Sequence, residues 1–133
     1  MEDYQDAAKR HCEDAKILHI QDNARLANAS HLYGFAAECV IKSMMAGSNR
    51  RGRVSHCHLP DIMVEFRNHS SIRGNAALLR SVNTCFAGLS EWKVSERYLH
   101  QNAATFTVER VQSEADSAKK LLGLLSHWTK GVI

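Results

Sequence analysis

One proline stands in 133 residues, and no part of the chain is apolar for long. The scarcity of proline removes the commonest helix breaker and favours an all-helical chain. The longest apolar stretches fall short of the about 18 residues that a bilayer demands. A membrane-spanning helix is thereby excluded, and no membrane partner is expected. No C-x-x-C pair occurs among Cys12, Cys39, Cys57 and Cys85. Two of them fall in helical apolar patterns, where a thiol acts as a small hydrophobe, so reduced cysteines are expected. A zinc site would need Cys57 with His56 and His58. The adjacent side chains of "SHCH" rarely converge on one ion, and no second ligand pair stands at finger spacing. No metal and no cofactor are expected. The opening MEDYQDAAKR is acidic, unlike the basic and then apolar start of a secretory signal, which points to the cytoplasm. No internal repeat, low-complexity tract or linker rich in proline or glycine divides the chain.

What is present suits one hydrophobic core. A content of 44% hydrophobic and 23% charged residues is that of an ordinary globular domain, and residues 1–133 are read as a single one. The net charge of +3 permits an anionic partner without demanding one. Apolar spacing predicts helices. Tyr4, Ala8, His11, Ala15 and Leu18 form one stripe within residues 3–20. After Asp22 and Asn23 as capping candidates, Ala29, Tyr33, Ala36, Val40 and Met44 form a second, which Gly47, Ser48 and Asn49 are expected to end. "LPDIMVEF" predicts a short third helix with Pro60 in its first turn. Leu78, Val82, Cys85 and Leu89 mark a fourth, which Gly88 helps to end. Residues 90–106 read as irregular. Val108, Val111, Ala115, Ala118, Leu122 and Leu125 make the cleanest stripe, with Glu109 and Lys130 placed in line with the helix dipole. Such helices pack antiparallel in a bundle.

The second helix carries charge in its middle. Asn28, His31, Glu38 and Lys42 fall along one edge. The plain account is a solvent-exposed pair of Glu38 and Lys42 one turn apart, worth about 0.3 to 0.5 kcal/mol. Phe35, Ile41 and Met45 crowd the same edge, however, and a carboxylate among them needs a cation or several donors. Both placements of Glu38 stay open at this point.

The stretch "ANASHLYGFAAECVIKSMM" resembles the second helix of HEPN domains, the prokaryotic and eukaryotic nucleotide-binding helical bundles. "HLPDIMVEF" is similar to the short helix that follows in one subfamily, and "EWKVSERYLH" to its tryptophan and Arg-Tyr segment. The likeness runs over most of residues 22–128. It implies an all-α, up-and-down bundle of four to five helices and a homodimer. A nucleotidyltransferase partner, a nucleotide or RNA ligand, and in many members a metal-independent ribonuclease activity are implied as well. Catalytic members of the family carry an arginine, then four to six residues, then a histidine, near the start of the last long helix or just before it. Here Arg97 and His100 have only two residues between them. Arg51 with His56, Arg53 with His58 and Arg25 with His31 match the letters but lie in an earlier loop or helix.

The first expectation is therefore a noncatalytic module that binds nucleotide, RNA or a partner enzyme. The second is a toxin-like ribonuclease using Arg97 and His100, with Glu38 as the orienting carboxylate. Such chemistry needs a cation for the scissile phosphate and an imidazole for the 2′-hydroxyl proton. Arg50, Arg51, Arg53, Lys42 and Tyr98 are the candidates for holding nucleotide or RNA, against the plain reading of the arginines as a solvated loop. Glu38 is expected to pair with Arg97, pinning "EWKVSERYLH" to the second helix while Lys42 leans outward. Trp92 and Tyr98 are read first as core anchors.

Overall fold

A computed structural model describes residues 3–21, 25–48 and 57–131. They form an all-α helical bundle of five helices with no strand among the described residues: α1 (Tyr4–Ile20), α2 (Leu26–Ser48), α3 (Ile62–Asn68), α4 (Ala76–Phe86) and α5 (Val108–Thr129). Three helix starts have a side-chain cap. Asp3 accepts from the Asp6 amide, Asn75 from Leu78 and Thr107 from Arg110, each satisfying an amide that the first turn leaves without a backbone partner. No described helix is long and apolar enough to cross a membrane.

The apolar stripes account for the packing. Ala29, Tyr33, Ala36, Val40 and Met44 are all fully buried, so α2 is the central helix, packed against α1 on one side and α5 on another. Where α1, α2 and α5 meet, the core is built from small side chains, Ala15, Ala29, Ala36, Ala115 and Ala118 around Tyr33. Towards α3 and α4 it holds large ones, among them Ile41, Met44, Phe66, Ile72, Leu78 and Trp92. Each side chain of that size contributes about 1.5 to 3 kcal/mol through its removal from water.

Some boundaries match the sequence reading and others differ. Helix α2 ends at Ser48, within the group Gly47, Ser48 and Asn49 expected to end it, and Asn49 lies outside the described residues. Helix α3 begins at Ile62, and Pro60 lies in the turn before it, its carbonyl accepting from the Met63 amide. In α5 it is Leu121 that is fully buried beside Val111, Ala115, Ala118 and Leu125, while Val108 in the first turn is exposed. The capping candidates Asp22 and Asn23 lie outside the described residues.

Residues 90–106 are less irregular than expected, since they contain a 3₁₀ turn at Val94–Tyr98, whereas α4 ends at Phe86 and Leu89 of the fourth stripe falls in a separate 3₁₀ turn at Ala87–Leu89. Two devices fix residues 90–106. Trp92, 1% exposed, lays its indole on α2 at Gly34 and donates from Nε1 to the Ser30 carbonyl at 2.9 Å. A Cβ on Gly34 would stand 1.9 Å from the indole, so only glycine lets the ring approach this closely. At the other end, the Arg110 guanidinium grips both oxygens of Glu96 at 2.6 and 2.8 Å, contacts the Thr105 hydroxyl, and reaches Glu114 Oε2 at 3.3 Å. Planar, two-pronged contact is what guanidinium offers a carboxylate. It also holds the Glu96 carboxyl below its ordinary range.

Candidate functional site

Glu38 is buried, and it does not meet Arg97. Its side chain is 3% exposed; Oε1 accepts from His58 Nδ1 at 2.9 Å and from the Leu59 amide at 3.1 Å, and Oε2 from Lys42 Nζ at 3.4 Å. Three separate donors thus do what a single arginine was expected to do, and a carboxylate so supplied is tolerable in an apolar setting. Lys42 does not lean outward. Only 12% of its side chain is exposed, because it turns back onto Glu38 with its ammonium 6.0 Å from the Tyr4 ring centre.

The contact with His58 has a chemical consequence. An ionised carboxylate only accepts hydrogen bonds, so the ring nitrogen facing it is the donor, and in the neutral ring Nε2 is then the acceptor. With 40% of its side chain exposed, His58 is a half-open imidazole held in one orientation from behind. Phe35 lies beside it with ring centres 6.1 Å apart, and His31 stacks edge-on against the same phenylalanine at 4.4 Å. His11 approaches Phe35 from α1 at 6.1 Å. Three imidazoles from two helices and a loop thus surround one aromatic ring. Burial first, and then the charge of Arg97, hold the His31 imidazole below its ordinary value. Glu38 and His58 act on it as well, so Arg97, His31, His58 and Glu38 share one electrostatic neighbourhood.

Arg97 itself is exposed, its guanidinium 4.7 Å from the Tyr98 ring centre and 2.6 Å from the Tyr98 hydroxyl. Tyr98 is no core anchor. At 77% exposure it lies on the surface, stacked with the arginine that precedes it. His100 is an exposed loop residue whose Nδ1 accepts from the Asn102 amide at 3.1 Å. Among the described residues no hydrogen bond or ion pair joins Glu38, Arg97 and His100. Arg50, Arg51 and Arg53 lie outside the described residues.

Between the start of α2 and the 94–106 segment lies an open cleft of about 540 Å³, whose lining includes Arg25, Asn28, His31 and Arg97. Neither arginine makes an ion pair among the described residues, and Glu96 on the same wall is already engaged by Arg110. The described residues contain no group of three or more His, Cys, Asp or Glu side chains able to hold a metal.

His58, His31 and Arg25 are the residues that sequence reasoning set aside. The Arg53 to His58 and Arg25 to His31 spacings contained them, but their loop and helix positions hid that the fold returns both histidines to the side of Phe35. Comparison with family models, with characterised proteins and with solved structures finds no match to this chain.

Proposed function

We propose that the chain is a HEPN-type helical module that cleaves RNA without a metal, using His58 oriented by Glu38. The observation that carries this reading is the 2.9 Å contact between a half-open imidazole and a buried carboxylate. It is the arrangement by which a carboxylate fixes the tautomer of a general base. His58 Nε2 takes the proton of a ribose 2′-hydroxyl, and the freed oxygen attacks the adjacent phosphorus. Arg97 carries the charge that grows on the phosphoryl oxygens. The bond to the 5′-oxygen breaks as that oxygen takes a proton from water, leaving a 2′,3′-cyclic phosphate and a 5′-hydroxyl end. His100, placed in this role by sequence, has no part in it.

The test is incubation of the purified chain with transfer and messenger RNA in EDTA, beside His58→Ala and His100→Ala variants of confirmed fold. Cleavage should persist in EDTA, fall by about 10² to 10⁴ in His58→Ala and survive in His100→Ala. No cleavage by the wild type, or loss in His100→Ala alone, would overturn the reading.

A second reading keeps the fold and drops the chemistry: a noncatalytic, dimeric module that engages RNA or a nucleotidyltransferase. One observation favours it. The Arg97 guanidinium rests on Tyr98 rather than against the Glu38 and His58 pair, so the cation is not aimed at the imidazole.

A further inference from the structure

Two glutamates share one guanidinium where the 94–106 segment meets α5. Arg110 gives Glu96 two nitrogens, at 2.6 and 2.8 Å, and turns only its Nε to Glu114 Oε2, at 3.3 Å. The other Glu114 oxygen, Oε1, is buried without a hydrogen bond of normal geometry. With both acids ionised, the three groups would hold one negative charge too many, in a place where Glu114 is wholly buried and Arg110 only 11% exposed. Such an excess is costly out of water, and a proton removes it. Glu96 is not the holder of that proton, because the two-pronged contact keeps its carboxyl below the ordinary range. The proton therefore belongs to Glu114.

Glu114 also stands where both fastenings of the segment meet. Arg110 reaches the chain beyond α4 through Glu96, the Thr105 carbonyl at 3.4 Å and the Glu91 carbonyl at 3.5 Å. Ser30, whose hydroxyl lies close to Glu114, accepts the Trp92 indole N–H on its carbonyl. We propose that Glu114 is a proton-operated latch: with its proton the 94–106 segment stays clasped to α2 and α5, and without it the segment opens as a unit. An ionised Glu114 competes with Glu96 for Arg110 and gains most by meeting water, which opening provides. The charged groups that act on Glu114 are Arg110, from its own helix, and Glu96, from the segment; α2 adds the Ser30 hydroxyl, and among the described residues no charged group of α1 or α4 acts on it. Burial holds the closed carboxyl up at about 7, against an ordinary value of 4.5. The closed form thus binds the proton more tightly, so acid closes the latch, and its hold weakens as pH rises from 4.5 towards 7. Arg97 rides on the segment, so opening frees the cation of the proposed cleavage from its place near His31. That consequence rests on the cleavage reading; the latch does not.

The test needs no RNA. Hydrogen exchange of the Trp92 indole N–H and of the Leu99 amide, which donates to the Glu96 carbonyl at 3.0 Å, is followed by NMR in the intact chain from pH 5 to 8. Each rate is divided by that of an unprotected group at the same pH, which leaves the opening equilibrium. In the wild type this opening should rise by roughly tenfold or more across the range and level off above about pH 7. Glu114→Gln, of confirmed fold, keeps the shape of the side chain without its titration and should show no such rise. The histidines near the segment are common to both chains, so the difference between them belongs to Glu114. The amides of Val40 and Ile41, in the buried middle of α2, should exchange at least about tenfold more slowly throughout, because the bundle stays folded while the segment opens. The carboxyl ¹³C signal of Glu114 should titrate near pH 7. A flat wild-type profile, the same rise in Glu114→Gln, segment protons no faster than those of α2, or a carboxyl midpoint near 4.5 would each overturn the latch. Failure of the EDTA assay would leave these measurements interpretable, and a flat exchange profile would leave the Glu38 and His58 chemistry standing.

Discussion

Among the described residues two carboxylates are buried in the helices of this bundle, and they are treated in opposite ways. Glu114 on α5 is wholly buried; its Oε2 meets Arg110, the Ser30 hydroxyl lies close enough to favour its charge, and Oε1 has no hydrogen bond of normal geometry. Its partner Arg110 is itself only 11% exposed, and Glu96 beyond it 15%. Everything around Glu114 faces inward, and the result is a clasp on the 94–106 segment. Glu38 on α2 is nearly as deep, yet its principal partner, His58, is 40% exposed. Donors reach both oxygens of Glu38 but only one of Glu114, where burial outweighs them, and only at Glu38 does the arrangement bring a reactive group to the surface. Burial of an acid is therefore weak evidence of function; what its partner presents to solvent distinguishes the two.

The comparison is broken most forcefully at Arg110. Arg110→Met leaves Glu96 and Glu114 without their cation and should lower stability by about 3 to 5 kcal/mol in urea unfolding. A loss within the range of a surface pair, below about 1 kcal/mol, would show that the clasp does not hold the segment.

Next comes pH. Burial pushes the Glu114 carboxyl up to about 7. In the unfolded chain it titrates near its ordinary value, so between the two pH values folding takes up a proton. Stability from this group is then full in acid and declines as pH rises towards 7, by about 2 to 3 kcal/mol. The histidines His11, His19 and His31, all held low chiefly by burial, act in the opposite sense, adding stability as pH rises to their ordinary value of 6.5. The difference between wild type and Glu114→Gln isolates the carboxyl. The variant should gain on the wild type as pH rises from 5 to 8, and parallel stability curves would contradict the assignment.

The smallest effect sharpens the contrast from outside both carboxylates. Gly34→Ala drives a methyl into the Trp92 indole and should cost about 1 to 3 kcal/mol by overpacking. It displaces the segment that bears Arg97 while leaving the contacts of Glu38 in place. Near-ultraviolet circular dichroism should show a changed tryptophan environment; an unchanged spectrum with full stability would mean that the close approach is not needed.

Much of the fold was legible because burial repeats along a helix. The α2 stripe from Ala29 to Met44 is wholly buried, and Trp92 is the anchor that its size implied. The need of Glu38 for a partner was legible too, from Phe35, Ile41 and Met45 around it. The partner's identity was not. Periodicity describes one helix at a time, whereas His58 reaches Glu38 from a loop twenty residues further along the chain, at a position fixed by Leu59 and Ile62 entering the core. The choice of Arg97 followed from the rule that guanidinium suits a carboxylate. That rule does operate here, but in Arg110 and Glu96. Tyr98 was misplaced for a related reason: an aromatic ring can find its neighbour in an adjacent arginine at the surface instead of in the core.

The central claim is that Glu38 acts through His58. A double-mutant cycle on RNA cleavage in EDTA, with Glu38→Gln, His58→Ala and the pair combined, all of confirmed fold, tests it most directly. Groups that act as one unit do not lose activity additively. Glu38→Gln should therefore lower the rate substantially, and the double variant should cleave no more slowly than His58→Ala alone. Independent losses that multiply in the double variant, or full activity in Glu38→Gln, would contradict the account.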